Sequence, residues 1–186
     1  MAFLQRLDDL PGVPALIQPW EDTGFIREFI EGRPLAKGMH VNDDFHPRLA
    51  RLIDAMHARD MAYVDLEKCE NVLVGEDGSP FLFDFQISWY VPPRFGGTLW
   101  PMRHLRRWFQ TSDRYHLVKL QRRTRPDQLS PEALAASYRK PWYVRVHSRL
   151  TRPLTALRRI VLNRVDPRQK RGERGRVLDD ESIGAA

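Results

Sequence analysis

The stretch 52-LIDAMHARDMAYVDLEKCENVLVGEDGSPFLFDFQIS-88 decides how the rest of the chain is read. It begins inside an amphipathic helix. Phe45, Leu49, Leu52, Ile53 and Met56 recur at spacings of three and four, with Arg48, Arg51 and Asp54 on the other face, the pattern of a helix with one buried stripe. Asn42-Asp43-Asp44 gives its start signal, Pro47 suits its first turn, and the helix is predicted to run to about Arg59. A loop, Ala62-Tyr63-Val64-Asp65, comes next. Asn71-Val72-Leu73-Val74 then reads as a strand, Glu76-Asp77-Gly78 as a hairpin turn, and Phe81-Leu82-Phe83 as the returning strand, which ends at Asp84.

Three polar side chains are ordered along this frame: Asp65 in the loop, Asn71 where the first strand starts and Asp84 where the second ends. Taken singly, an Asp at a strand end is usually a turn or cap residue. Taken together they can do chemistry. A hairpin brings its strand ends together, so Asn71 and Asp84 can share one cation, and Mg²⁺ takes carboxylate and amide oxygens. A carboxylate near an acceptor hydroxyl, with a metal that neutralises phosphate charge, is what phosphoryl transfer requires.

Helix, loop Asp, downstream Asn, hairpin and Asp-Phe is also the layout of a protein kinase catalytic core. Residues 52–88 resemble the catalytic-loop and metal-loop region of the protein-kinase-like superfamily, closest to its bacterial atypical branch of lipopolysaccharide-core kinases and related serine/threonine kinases. The resemblance covers roughly residues 1–90. It implies an α+β, protein-kinase-like fold: a mostly helical C-lobe with a catalytic-loop hairpin and a remnant of the N-lobe. It implies ATP and Mg²⁺ as cofactors, Asp65 as the catalytic aspartate, Lys68 as the group that steadies the transferring phosphate, and Asn71 and Asp84 as metal ligands. The segment 28-EFIEGRPL-35 is similar to the hinge between the lobes, so the backbone of Glu28, Phe29 and Ile30 is expected to meet the adenine ring. His57 matches the histidine that ends the helix before the catalytic loop, a structural rather than a catalytic residue. Asp113 is expected at the start of the helix that anchors that loop.

The chain departs from the family pattern in instructive places. Tyr63-Val64-Asp65 stands where His-Arg-Asp is usual, which removes the partner of an activation-loop phosphate. Asn71 follows Asp65 by six positions, one more than the D-x-x-x-x-N spacing, so the loop is expected to bulge and Lys68 is displaced with it. Gln86 replaces the glycine of Asp-Phe-Gly and restricts the metal loop. The largest departure is in front. Nothing in residues 1–27 reads as G-x-G-x-x-G or V-A-I-K, and 2-AFLQRLDDL-10 looks like the end of the helix that would carry the paired glutamate. The expectation is a chain short of most of an N-lobe: a short paralogue, a misplaced start codon or a degenerate copy.

Outside this region the reading is coarser. Phe3, Leu4, Leu7 and Leu10 predict a short helix over 2–10, stopped by Pro11-Gly12; Val13–Pro19 and Gly24–Ile30 read as strands, the second closed by Glu31-Gly32-Arg33-Pro34. Helices are predicted over Met102–Phe109, Asp113–Arg123 and Pro131–Arg139, and a basic one over Leu150–Val165. The expected division is 1–35 as N-lobe remnant and hinge, 36–165 as C-lobe with a basic helical extension, and 166–186 as a disordered tail, charged and without aromatics.

Composition bounds the partners. Hydrophobic residues at 42% allow a core, and 30 Lys and Arg against 24 Asp and Glu give a net charge of +6. The basic residues cluster in 103–176 and most acids lie in 1–90, which suits an anionic partner for the basic half. Trp142-Tyr143 followed by Arg145, Arg149, Arg152, Arg158 and Arg159 suits an anionic membrane surface. No recognised nucleic-acid-binding module is present, which argues against nucleic acid. The single Cys69 excludes an internal disulfide, is read as a bystander and fits a reducing compartment. With no signal-peptide pattern and no long apolar run, the expected location is cytoplasmic, with peripheral contact at the inner membrane face. Three functions follow as expectations: ATP-dependent transfer of the γ-phosphate to a hydroxyl of a protein, sugar or glycolipid; a catalytically inactive, pseudokinase-like binding module; or a basic membrane-surface protein.

Overall fold

A computed structural model describes residues 2–20 and 24–139. The basic helix expected at 150–165, the Trp142-Tyr143 segment and the tail at 166–186 lie outside the described residues. The described part is mixed α+β, with two small antiparallel sheets and three helices longer than a single turn.

The N-terminal segment is helical for one turn only, α1 (Ala2–Gln5), where a helix to Leu10 was expected. Beyond it the chain turns tightly, with Leu7 N–H donating to Leu4 O and Leu10 N–H to Leu7 O, both at 2.9 Å. Bonds of this i to i+3 kind bring every third residue to one side, so Leu4, Leu7 and Leu10 are all buried. Gly12 then passes close to the hairpin. Its φ is +97°, its carbonyl accepts Leu82 N–H at 2.8 Å, and a Cβ there would meet Leu52 at 2.7 Å and Pro80 O at 2.8 Å, so only glycine fits.

Strands β1 (Leu16–Trp20) and β2 (Gly24–Arg27) pair as an antiparallel hairpin with an irregularity between Leu16 and Gln18. The second sheet has the order β3-β4-β5, from Gly32–Pro34, Val72–Gly75 and Pro80–Leu82. The Glu31–Pro34 segment, read as a turn, is therefore largely an edge strand. A Cβ at Gly32 would lie 2.3 Å from Val74 O, so the missing side chain lets the backbones approach, and Pro34 is tolerated because the strand is at the edge.

Helix α2 (Phe45–Ala58) follows the sequence reading closely. Phe45, Leu49, Leu52, Ile53 and Met56 are all buried, while Arg51 and Asp54 are exposed. This face joins Leu7, Tyr63, Leu66, Val72, Leu82 and Leu120 in one core. Helix α3 (Trp100–Thr124) is continuous over 25 residues, where two helices were expected. The polar run Gln110–Asp113 is not a break. Thr111 Oγ1 donates to Arg107 O within the helix at 2.8 Å, and Gln110 and Asp113 point inward to satisfy the loop after α2. Helix α4 (Pro131–Tyr138) is capped by Ser130, whose hydroxyl accepts Ala133 N–H at 3.2 Å. No helix among the described residues is long and apolar enough to cross a membrane.

Candidate functional site

The loop between α2 and β4 is pinned by α3 at both ends. Asp113, fully buried in the middle of α3 and not at its start, accepts Tyr63 N–H at 2.8 Å, Val64 N–H at 2.8 Å and a contact from His57 Nε2 at 3.0 Å. Gln110 Nε2 donates to His57 O at 3.1 Å and Met61 O at 3.0 Å. Further along α3, Lys119 pairs with Glu67 at 2.6 Å, and Arg123 donates to Glu67 O at 3.1 Å. On the other side, Ala62 and Trp89 exchange both backbone bonds, at 3.0 and 2.8 Å. His57 thus has the structural task read for it from the sequence.

Between these anchors the backbone is forced into a tight turn. Val64 has φ of 74°, and Asp65 N–H donates to Tyr63 O at 3.0 Å. A β-branched residue in the left-handed region is strained, and it is held there by the two N–H bonds to Asp113. The turn projects Asp65 into a cluster. Its Oδ2 accepts Lys68 Nζ at 2.7 Å and Asn71 Nδ2 at 3.0 Å, and its backbone oxygen also accepts Asn71 Nδ2 at 3.2 Å. The Asp65 side chain is 14% exposed and that of Lys68 53%. A 3₁₀ turn at Cys69–Asn71 lies between the loop and β4, and Asn71 meets Asp65 across the six positions that separate them.

Asp84 arrives from the opposite strand end. Val72 pairs with Leu82, and Phe83 N–H donates to Asn71 O at 3.0 Å, so Asn71 and Asp84 are diagonal neighbours across the end of the hairpin. Asp84 is exposed, has φ of 50°, and accepts Gln86 N–H at 3.4 Å. The Tyr63 hydroxyl, buried behind the hairpin end, donates to Phe83 O and, at 3.4 Å, to Asn71 O. Burial pushes its phenol up, and the charges of Asp65, Asp84 and Asp113 push it further, so it stays a protonated donor. The Lys68 ammonium is raised, chiefly by its bond to Asp65 and then by the charges of Asp65, Asp84 and Glu70. Asp65, Lys68 and Asp84 are therefore electrostatically linked, and Asn71 joins them through its bonds to Asp65.

The donor set suits a hard cation. Asn71 Nδ2 donates twice to Asp65, whose carboxylate and carbonyl oxygens only accept, so the Asn71 amide oxygen is the atom left to serve as a ligand. Two protein oxygens with the remaining positions filled by water and phosphate is a Mg²⁺ arrangement. Among the described residues no group of three or more His, Cys, Asp or Glu is placed to hold a metal.

Asp84 also lines a cleft of about 520 Å³ with Leu4, Phe25, Arg27, Phe85 and Tyr90. The segment expected to meet adenine lies apart from that lining. Glu28 is paired with Ala15, donating its N–H to Ala15 O at 2.9 Å and accepting Ala15 N–H on Oε2 at 3.2 Å. Phe29 is 84% exposed, and Ile30 is half-buried. Three contributors escaped the sequence reading. Gln110 and Arg123 carry no motif, only their helical spacing from Asp113. Arg27 was read as an ordinary strand residue. Compared with known proteins, the chain matches no family model and no curated protein.

Proposed function

We propose that this chain is a phosphotransferase of the protein-kinase-like type, moving the γ-phosphoryl group of ATP to a hydroxyl acceptor. The observation that carries the reading is the contact of Asp65 with both Lys68 and Asn71, with Asp84 at the adjoining strand end. Asp65 orients the acceptor hydroxyl and takes its proton as the hydroxyl oxygen bonds to the γ-phosphorus. The bond from that phosphorus to the β,γ-bridging oxygen breaks, and ADP leaves with the bonding pair. Lys68, cationic and exposed, offsets negative charge on the transferring group. Asn71 and Asp84 would hold Mg²⁺, which when bound neutralises phosphate oxygens. The Asp113 clamp keeps Asp65 in position without touching substrate. The acceptor class, whether protein, sugar or glycolipid hydroxyl, is left to the experiment.

The test is Mg²⁺-dependent conversion of ATP to ADP by the full chain against a panel of hydroxyl acceptors, with Asp65→Ala and Asp84→Ala beside it. Turnover lost in both variants supports the reading; equal rates in all three proteins sink it. A second reading, a nucleotide-binding module without turnover, is favoured by one observation: residues 1–36 contain no lysine. Stabilisation by Mg-ATP without ADP formation would select it. A peripheral membrane role for the basic half is tested separately, by co-sedimentation with anionic and neutral vesicles at two salt concentrations.

A further inference from the structure

One charged side chain in the cleft has no role in this mechanism. Arg27 ends β2 and lines the same cleft as Asp84. Its guanidinium lies over the Phe85 ring at 5.1 Å and the Phe25 ring at 5.8 Å. Its Nε is buried with no hydrogen-bond partner. Among the described residues no carboxylate lies within ion-pair distance of it. Asp8, whose charge acts on it, is committed through Oδ1 to Leu16 N–H at 2.7 Å.

Burying part of a guanidinium without its anion costs free energy. The cost shows as a lowered pKa, with desolvation the leading cause. Two aromatic faces hold the group in place but offer no hydrogen-bond acceptors in its plane. An anion with several oxygens would supply an acceptor for Nε, and the planar donor fork of arginine matches phosphate oxygens in pairs. Asp84, one of the two residues that would hold a metal, lines the same cleft.

We infer that Arg27 grips the phosphate oxygens of the ligand bound beside Asp84, supplying the phosphate-facing cation for which residues 1–36 contain no lysine. This rests on the phosphotransferase reading, and the experiment separates the two. Binding of Mg-ATP, Mg-tripolyphosphate and adenosine is measured by calorimetry on the full chain, on Arg27→Met and on Arg27→Lys, with urea midpoints to confirm folding. Arg27→Met is expected to weaken both phosphate ligands about 10- to 100-fold, the worth of a charge-assisted contact, and to leave adenosine unchanged. Arg27→Lys is expected to recover part of the loss, having the charge but not the fork. If Arg27→Met binds Mg-ATP within twofold of the parent, the inference fails and the phosphotransferase reading stands. If tripolyphosphate binding depends on Arg27 but no Asp65-dependent turnover appears, the anion site stands and the phosphotransferase reading fails. If the parent binds neither phosphate ligand, both fail. Should Arg27→Met not fold, Arg27→Gln carries the same comparison.

Discussion

The carboxylate of Asp113 accepts the backbone N–H of Tyr63 at 2.8 Å, tying the middle of a late helix to a loop fifty positions earlier. The same group takes Val64 N–H and the His57 ring, so a single buried side chain fixes both the exit of α2 and the turn that presents Asp65. A carboxylate this deeply buried is retained only when its oxygens are satisfied, and here the backbone supplies most of that satisfaction. The arrangement turns the position of Asp65 into a property of the core.

Asp113→Ala would leave two backbone N–H groups and His57 without their acceptor. The expected loss is about 3–5 kcal/mol of unfolding free energy, the range for breaking a buried charged contact. Asp113→Asn keeps the shape but turns a donor toward donors, and is expected to cost about 1–3 kcal/mol. Urea unfolding followed by circular dichroism measures both. A loss under about 1 kcal/mol in Asp113→Ala would show that the loop is held by other contacts.

Val64 sits at φ 74°, where a Cβ is penalised by roughly 1 kcal/mol and glycine is not. The comparison that isolates this is Val64→Gly against Val64→Ala, since both remove the two γ-methyl groups and they differ only in Cβ. The glycine variant is expected to be the more stable by about 0.5–1 kcal/mol, against the usual order at ordinary backbone positions. The reverse order in matched urea titrations would mean that the turn before Asp65 is not left-handed in solution.

Asp65→Asn separates chemistry from folding. The substitution keeps the size of the side chain and its contact with Lys68 through the amide oxygen, so stability is expected to change by less than about 1 kcal/mol. The proton acceptor, however, is gone. Under the proposed mechanism ATP turnover falls by at least ~100-fold, the lower range for a general base. Unchanged turnover in a folded Asp65→Asn protein would remove Asp65 from the reaction.

How much of this could be read beforehand depends on the range of the interaction. The buried face of α2, the β4-β5 hairpin and the order Asp65, Asn71, Asp84 follow from local periodicity and turn chemistry, and the structure has them. The contact of Asn71 with Asp65 was open in the sequence, because the six positions between them can fold as a 3₁₀ turn or as a bulge. The continuity of α3 was misread. Thr111, Ser112 and Asp113 look like a cap between two helices until Thr111 is seen to bond back to Arg107 O and Asp113 to satisfy the loop beside α3. Glu31–Pro34 looked like a turn because its strand partner, β4, is forty positions away. Arg27 was invisible for the same reason: its meaning lies in Phe85 and Asp84, which reach it only through the fold.

His46 offers a pH-dependent test of the packing between α2 and α3. Its Nε2 meets Thr124 Oγ1 at 2.8 Å, its Nδ1 is buried without a partner, and burial, then the Arg125 charge, lower its pKa from 6.5 to about 4. The folded protein therefore resists a proton that the unfolded chain accepts. Stability from this source is complete above pH 6.5 and is lost as pH falls toward 4. The expected loss is of order 2–3 kcal/mol, the fall from 6.5 to about 4 taken at about 1.4 kcal/mol per tenfold change in proton affinity and reduced for local relaxation. His46→Gln retains a partner for Thr124 and does not titrate, so its unfolding free energy should fall less between pH 7 and pH 4.5. His116, whose pKa is also lowered mainly by burial, contributes a loss of the same sign that persists in the variant. Parallel pH profiles for the parent and His46→Gln would mean that His46 accepts its proton in the folded state, and that the contact with Thr124 opens at mildly acidic pH.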